Sequence, residues 1–329
     1  MTQTMIRATI RSIRIEADDI RSFELVSSDG TPLPAWQPGA HVQVALPGGP
    51  GKTLQRAYSL CNHVGEAGCY RIAVKREPAS RGGSRAMHAL QVGDSVEISA
   101  PRNLFELDPA AQRHVLIAGG IGITPLYAMF NALRGVAACE LHYFVRSAAH
   151  AAFVDRLGDQ IKLHAGLDAN QTASALAAIV QPHASDSRTT FYTCGPAAFM
   201  AAVEAALTAA GIPLTQLRSE RFGAEPQPAS ANEAGSGGSN KGEFRIVFAR
   251  SGIEAEVPAG TPIIEVARAC GVDIPTSCEQ GVCGACLSDV LEGAPEHHDG
   301  YLSDAERASG RIMLPCVSRC VGTRLVLDR

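Results

Sequence analysis

The sequence predicts three domains of different fold class: an antiparallel β-barrel, an α/β domain with a parallel sheet, and a small α+β domain. Short β-branched runs separated by Gly, Pro and Asp turns fill residues 1–111. Strands alternate with helical segments over residues 112–222. Residues 223–242 contain no Val, Ile, Leu, Phe or Tyr and predict a flexible linker before residues 243–329. The alternative for this stretch is a long surface loop within one domain.

Composition narrows the function classes. The 329 residues are 46% hydrophobic and 19% charged, which is typical of a soluble globular protein. The net charge of −4 argues against nucleic-acid binding. Neither an apolar run of about 18 residues nor a secretory signal is present, so we expect a cytoplasmic protein with reduced cysteines. Residues 243–329 carry 8 Lys and Arg against 13 Asp and Glu, which indicates an acidic docking surface.

The first domain is predicted to hold six strands and one helix. The strands are ATIRSIRIE, SFELVS, HVQVAL, RAYSLCN, YRIAVKR and SVEISAP, and the helix is SRAMHALQ. Six strands at short spacing favour an antiparallel barrel or sandwich.

The second domain is predicted to alternate strand and helix. The strands are HVLIAGG, ELHYFVR, KLHAG and TTFYTCG, and the helices are TPLYAMFNALRG, AHAAFVDRLGDQ, TASALAAIVQ and PAAFMAAVEAALTAAG. Two strands run directly into turns that open a helix, one rich in glycine from Gly119 to Gly122 and one at Cys194-Gly195-Pro196. Both turns are expected at the carboxyl ends of parallel strands, where α/β sheets bind ligands.

The third domain is predicted to open with two strands that turn at Ser251-Gly252, followed by the helix TPIIEVARACG and the strands CLSDVLEG, RIMLPCVS and TRLVLD. Between helix and strands, three cysteines have the spacing C-x4-C-x2-C, and a fourth follows after 29 residues. These candidate ligands are Cys278, Cys283, Cys286 and Cys316. The pattern is the plant-type ligand set for a 2Fe–2S cluster. Gly281 and Gly284 would let backbone amides approach the sulfurs.

Two other interpretations of the cysteines remain. A zinc ion could be held by Cys283, Cys286, Cys316 and Cys320, which leaves Cys278 unused. The four thiols could also be unrelated. The glycine spacing favours the cluster.

The barrel segment carries two candidate binding motifs. Arg56-Ala57-Tyr58-Ser59 lies on a predicted strand, and a barrel-packed Tyr with an exposed Arg is its simpler interpretation. The turn Gly82-Gly83-Ser84 precedes a helix, where bare amides and the helix dipole favour a phosphate. An ordinary Ser N-cap is the alternative there.

Together these motifs resemble the ferredoxin–NADP⁺ reductase superfamily. The order of a barrel, a nucleotide domain and a C-terminal plant-type ferredoxin of β-grasp fold resembles the phthalate dioxygenase reductase family, which includes vanillate demethylase reductases. The resemblance implies a flavin domain, a nicotinamide-binding domain and a ferredoxin domain. It also implies FMN, a 2Fe–2S cluster and NADH as cofactors.

The resemblance assigns roles to individual residues. FMN would be bound by Arg56, Ala57, Tyr58, Ser59, Ala73, Val74, Lys75, Gly82, Gly83, Ser84, Thr124 and Phe222. NADH would be bound by Gly120, Gly122, Arg146, Cys194, Gly195 and Pro196. Thr124, Cys194 and Phe222 would line the reaction centre, with Phe222 covering the flavin ring; a core Phe is the alternative. Arg146 could instead tolerate the 2′-phosphate of NADPH.

The implied activity is electron transfer from NADH to a partner protein. Flavin converts a hydride into single electrons, so it belongs between the nicotinamide and the one-electron cluster. By resemblance the partner is the oxygenase component of a Rieske non-haem iron system that acts on aromatic compounds, either a ring-hydroxylating dioxygenase or an O-demethylase. The alternatives are an FAD-containing reductase for a diiron monooxygenase or a cytochrome P450, and a non-enzymatic redox sensor.

Overall fold

The computed structural model describes residues 5–48, 53–62, 66, 68–78, 80, 82–222, 242–276, 279, 281 and 283–329. The linker predicted at 223–242 therefore lies outside the described residues except for Gly242. The chain divides into two compact units. The larger is formed by Gln3–Lys52 and Arg56–Phe222, and the smaller includes Gly223–Arg329.

Seven strands at the start of the larger unit form one antiparallel sheet in the order β4-β3-β6-β1-β2-β5, with β7 paired to β3. A bridge between Leu60 and Ile72 joins the two ends of this order, so the sheet closes on itself as the predicted barrel. The elements are β1 (Met5–Ala17), β2 (Ile20–Ser27), β3 (Ala40–Pro47), β4 (Thr53–Ser59), β5 (Tyr70–Lys75), α1 (Gly83–Ala89), β6 (Ser95–Ser99) and β7 (Arg102–Asn103).

The rest of the larger unit is a five-stranded sheet in the order β10-β9-β8-β11-β12, and every neighbouring pair in it is parallel. Strand β11 is buried throughout and β8 after its first residue, as expected for strands covered on both faces. The elements are β8 (Arg113–Gly119), α2 (Ile123–Leu133), β9 (Ala138–Val145), α3 (Val154–Leu157), β10 (Lys162–Ala165), α4 (Ala169–Val180), β11 (Thr189–Gly195), α5 (Ala197–Ala209) and β12 (Leu217–Arg221).

The helix predicted over AHAAFVDRLGDQ is wrong. The segment forms only the single turn α3, between 3-10 turns at Ala148–His150 and Gly158–Gln160. Phe153 adopts the left-handed region with φ 66°, which ends any continuous helix there. Its ring is buried and stacks on Tyr127 with centroids 4.6 Å apart, so tertiary packing overrides the local helical pattern.

Barrel and parallel sheet share one hydrophobic core. Ile20, Cys61 and Phe105 from the barrel pack in the same buried cluster as Leu116 and Tyr127 from the sheet domain. A separate cluster fills the opposite face of the sheet beneath α4 and α5. The two parts of the larger unit are therefore in direct apolar contact.

The smaller unit has a mixed five-stranded sheet in the order β14-β13-β19-β15-β17, and a two-stranded sheet of β16 and β18. The predicted turn at Gly252 is confirmed, since this residue has φ 64° and joins an antiparallel pair. The elements are β13 (Phe244–Phe248), β14 (Ile253–Val257), α6 (Ile263–Ala269), β15 (Ser288–Glu292), β16 (Pro295–Glu296), α7 (Asp304–Ser309), β17 (Ile312–Met313), β18 (Arg319–Cys320) and β19 (Arg324–Leu327). Across the described residues, none of the helices has the length and apolar character needed to span a membrane.

Candidate functional site

The two helix-opening turns of the parallel sheet touch each other. A Cβ atom added to Gly122 would lie 2.1 Å from the carbonyl oxygen of Cys194, so only glycine allows this approach. Gly119 and Gly195 are similarly close, because a Cβ on Gly195 would lie 3.0 Å from the Gly119 Cα. The neighbouring Thr124 is buried, and its Oγ1 donates to the Ile121 carbonyl at 3.1 Å. The two turns thus form one bare-backbone surface at the carboxyl edge of the sheet.

Strand β12 brings a carboxylate to this edge that the sequence motifs did not indicate. Glu220 pairs in register with Cys194 on β11, and Ser59 Oγ of the barrel donates to Glu220 Oε2 at 3.0 Å. Ser59 and Cys194 are both buried. The residue that ends the Arg-x-Tyr-Ser motif therefore reaches across the junction to the nucleotide turns. Sequence reasoning did not identify Glu220, and its position two residues before the predicted Phe222 was the available signal.

Burial determines the protonation states of Glu220 and Cys194. Loss of solvent raises the pKa of Glu220 to about 7, against the opposing effect of the Ser59 hydrogen bond. Burial also raises the pKa of the Cys194 thiol well above its usual value, with the Glu220 carboxylate adding to the shift. At neutral pH Cys194 is a neutral thiol, and Glu220 can either hold or release a proton.

The glycine turn before α1 packs on the arginine of the same motif. Gly82 caps α1 with φ 101°, and a Cβ added to Gly83 would lie 2.7 Å from the Arg56 side chain. Ser84 Oγ accepts from the Glu77 amide at 3.2 Å. A guanidinium beside glycine backbone at the start of a helix suits a phosphate, because charge and amide donors then face the same space.

The other predicted barrel residues lie on β4 and β5. Tyr58 is half-buried, and burial raises its pKa. Ala73 and Val74 are buried, whereas Lys75 Nζ pairs with Glu77 at 2.8 Å. Ala57 is half-buried, between Arg56 and Tyr58 on β4.

Phe222 and Arg146 flank the glycine turns at the same sheet edge. Arg221 pairs in register with Gly195, so Phe222 is the next residue beyond that turn. Its side chain is 40% exposed, which disfavours the core alternative. Arg146 follows the end of β9 and is exposed, with Nη2 2.5 Å from His150 Nε2. Pro196 caps α5, and Gly120 has φ 55°.

The cysteine loop has the backbone that its glycines predict. Gly281 and Gly284 have φ 72° and 75°. A Cβ on Gly284 would lie 2.1 Å from the Tyr301 ring, and one on Gly281 would lie 2.5 Å from the Val317 side chain. The Ala285 amide donates to Cys283 Sγ at 3.5 Å, the type of bond that stabilises cluster sulfur.

Three of the four predicted cluster ligands are buried thiols in the smaller unit: Cys283, Cys286 and Cys316. Cys278 lies outside the described residues. Within the part of the chain that is described, no three His, Cys, Asp or Glu side chains form a ready metal-binding group. Cys320 Sγ donates to the Arg324 carbonyl at 3.3 Å, an arrangement that suits a thiol rather than a fourth zinc ligand. The donor set and glycine backbone fit a cluster that also uses Cys278.

Comparison with protein families assigns each part of the chain. Residues 7–107 match an oxidoreductase FAD-binding domain. Residues 98–217 match the N-terminal domain of dimethylamine monooxygenase subunit DmmA-like proteins. Residues 246–321 match a 2Fe–2S iron–sulfur cluster binding domain.

Whole-chain relatives agree with this assignment. The chain is 41% identical to a vanillate O-demethylase oxidoreductase of a Pseudomonas species, over 98% of this chain and 100% of that protein. Its structure matches phthalate dioxygenase reductase, which transfers electrons from pyridine nucleotides to 2Fe–2S, with 37% identity, TM-score 0.67 and coverage of 99% and 98%. It also matches an intact self-sufficient cytochrome P450 monooxygenase with 33% identity and TM-score 0.74, covering 99% of this chain and 41% of that one.

Fold and site together define an oxidoreductase with a flavin-binding domain and a 2Fe–2S ferredoxin domain. More particularly, the chain belongs to the phthalate dioxygenase reductase family. The fold class predicted from the sequence is confirmed.

Proposed function

We propose that this protein takes hydride from NADH with FMN as acceptor and delivers single electrons through its 2Fe–2S cluster to the oxygenase component of a Rieske non-haem iron system. The observation that carries the proposal is the meeting of Ser59, Glu220 and Cys194 beside two touching glycine turns. This places a barrel motif and a nucleotide-type turn at one edge, as hydride transfer between two bound cofactors requires.

The chain's own groups have distinct tasks in this proposal. Bound flavin supplies the conversion of a two-electron donor into single electrons. Arg56 and the Gly82-Gly83 turn would hold the flavin phosphate, and FMN rather than FAD is proposed from the family resemblance. Ser59 donates to Glu220 Oε2, and the Glu220 carboxyl group can hold or release a proton near neutral pH because its pKa is about 7. Cys194 supplies a neutral surface, since its thiol does not ionise at working pH.

NADH is proposed over NADPH from the family resemblance, and Arg146 provides the test. Its guanidinium already contacts His150 beyond the end of β9. If Arg146 instead served a 2′-phosphate, Arg146→Ala would weaken NADPH more than NADH. We expect NADH to reduce the wild type faster than NADPH, and Arg146→Ala to change the NADH rate less than threefold.

The direct test of the function is an anaerobic titration of the purified holoprotein with NADH, followed in the visible range, with the released flavin identified by chromatography. We expect the flavin and cluster bands to bleach together and FMN to be released. Bleaching of flavin without any 2Fe–2S band would refute the electron path, and released FAD would refute the choice of flavin.

A cytochrome P450 is the second candidate partner, because 99% of this chain matches 41% of a self-sufficient cytochrome P450 monooxygenase. Reconstitution separates the two. NADH-driven turnover of a Rieske oxygenase at a rate well above that of a P450 supports the first proposal, and the reverse order supports the second.

A further inference from the structure

We infer that an ion pair between Glu16 and Arg156 positions the barrel against the nucleotide turns, so that Arg156 is a positioning residue for hydride transfer. This inference rests on the proposed function. Neither residue lies in a binding motif, and they are 140 residues apart in sequence.

The contact joins the two parts of the larger unit directly. Arg156 Nη2 on α3 donates to Glu16 Oε1 on β1 at 3.0 Å. The Glu16 side chain is only 7% exposed and Arg156 25%. Ser22 Oγ donates to the same carboxylate oxygen at 2.5 Å, which fixes its orientation. Shielding from water and a shared acceptor make this pair more rigid than an ion pair on the open surface.

A second bond from the same segment reaches the barrel. The Asp18 amide donates to the Ala149 carbonyl at 2.9 Å. The segment from Ala149 to Arg156 is therefore held at both ends by residues that lie two apart near the end of β1. A rigid-body shift of the barrel would break both contacts.

The backbone between these two contacts is held in an unfavourable conformation. Phe153 has φ 66°, which a bulky residue rarely adopts. The Phe153 ring stacks on Tyr127, and the Arg156 guanidinium lies 5.6 Å from its centroid. Tyr127 is one helical turn after Thr124 on α2. The path from Glu16 through Arg156 and Phe153 thus ends on the helix that the glycine turn opens.

The Glu16–Arg156 ion pair and the hydrogen bond from Ser59 to Glu220 lie on opposite sides of the glycine turn that follows β8. In the order β10-β9-β8-β11-β12, Glu220 is on β12, and α3 lies in the connection that follows β9. Contacts on both sides of β8 resist rotation of the barrel about the junction. Because a misplacement of about 1 Å can cost roughly 100-fold in rate, such a constraint has kinetic consequences.

The test is a double-mutant cycle of Glu16→Gln and Arg156→Met in the holoprotein. Anaerobic stopped-flow gives the limiting rate of flavin reduction and the NADH dissociation constant, and NADH deuterated at C4 gives the isotope effect. We expect each single variant to lower the limiting rate about 10-fold, with an unchanged NADH dissociation constant and a larger isotope effect. The double variant should be no slower than either single one, and Arg156→Lys should keep at least half of the wild-type rate.

A structural readout and a matched control accompany the kinetics. Amide hydrogen exchange at Asp18 should accelerate in Glu16→Gln, since its acceptor lies on the released segment. Glu66→Gln removes another Arg–Glu pair at 3.0 Å, with Arg71, but one that lies wholly within the barrel. It should leave the limiting rate unchanged.

Two results would overturn the inference. One is a double variant whose limiting rate falls by the product of the two single-variant factors, which would show that the two residues act independently. The other is a raised NADH dissociation constant at an unchanged limiting rate, which would make Arg156 a nucleotide contact. A wild type that neither NADH nor NADPH reduces would instead refute the proposed function.

Discussion

Replacing Glu220 with Gln should stabilise the larger unit at alkaline pH and have little effect at acid pH. The raised pKa means that the folded state binds a proton at Glu220 more tightly than the unfolded state does. Wild-type stability is therefore lost as the pH rises from the unfolded value of 4.5 to the folded value of about 7. At 1.36 kcal/mol per pKa unit, the loss above pH 7 is at most about 3 kcal/mol. Gln has the same shape and does not titrate, so the variant avoids this loss.

The fluorescence of Trp36 reports unfolding of the larger unit alone, because Trp36 is the chain's single tryptophan and lies in that unit. Urea unfolding followed by its fluorescence should give similar midpoints for the variant and the wild type at pH 4.5. At pH 8 the variant's midpoint should be higher by about 1 M, from m values of about 2–3 kcal/mol/M. Ser59→Ala is the control, since removing the donor should raise the pKa of Glu220 further. Equal midpoint differences at both pH values would show that Glu220 has an ordinary pKa and refute the argument.

Further predictions concern the glycine turns, the thiols and docking. Gly122→Ala should lower the free energy of unfolding of the larger unit by about 3 kcal/mol, because its Cβ would meet the Cys194 carbonyl. Gly120→Ala has open space around its Cβ, so it should lower that free energy only by the left-handed backbone penalty of about 1 kcal/mol. Urea midpoints of the two variants test the difference. Cys316→Ser should abolish the visible 2Fe–2S band, whereas Cys320→Ser should retain it. Zinc gives no visible band, so a wild type that contains zinc and lacks the 2Fe–2S band would support the zinc alternative. Electron transfer to the oxygenase should slow as ionic strength rises, since the C-terminal segment is acidic, and a salt-independent rate would contradict an electrostatic docking surface.

Local pattern was enough to predict much of this fold. The closed barrel and the parallel sheet follow from period-two runs and strand–helix alternation, which short windows of sequence report. The two glycine turns were also predicted locally, and the contact of Gly122 with Cys194 explains why glycine is required. The helix over Phe153 was wrong for the opposite reason, because packing on Tyr127 decides its backbone and lies outside any local window.

Strand β12 shows a second limit of local pattern. Its five residues are half-buried or exposed, so hydrophobic alternation gives little signal. Its place at the sheet edge is fixed by parallel register with β11, a long-range property. Only that register identifies Glu220 as part of the site, because it sets Glu220 beside Cys194 and within hydrogen-bond distance of Ser59. The carboxylate therefore could not be assigned from composition or spacing, although Phe222 two residues later was.

The residues that bind and the residues that position are thus encoded differently. In the proposed function, Arg56, the glycine turns and the cysteines bind through groups that lie close in sequence, so their spacing predicts the chemistry. The contacts of Ser59 with Glu220 and of Arg156 with Glu16 span 161 and 140 residues. Ser59 belongs to a sequence motif, whereas Glu220, Arg156 and Glu16 do not. Hydride transfer depends on both kinds, because correct binding groups at the wrong separation do not react. A chain that kept every motif but lost these two contacts should still bind both cofactors and transfer hydride slowly.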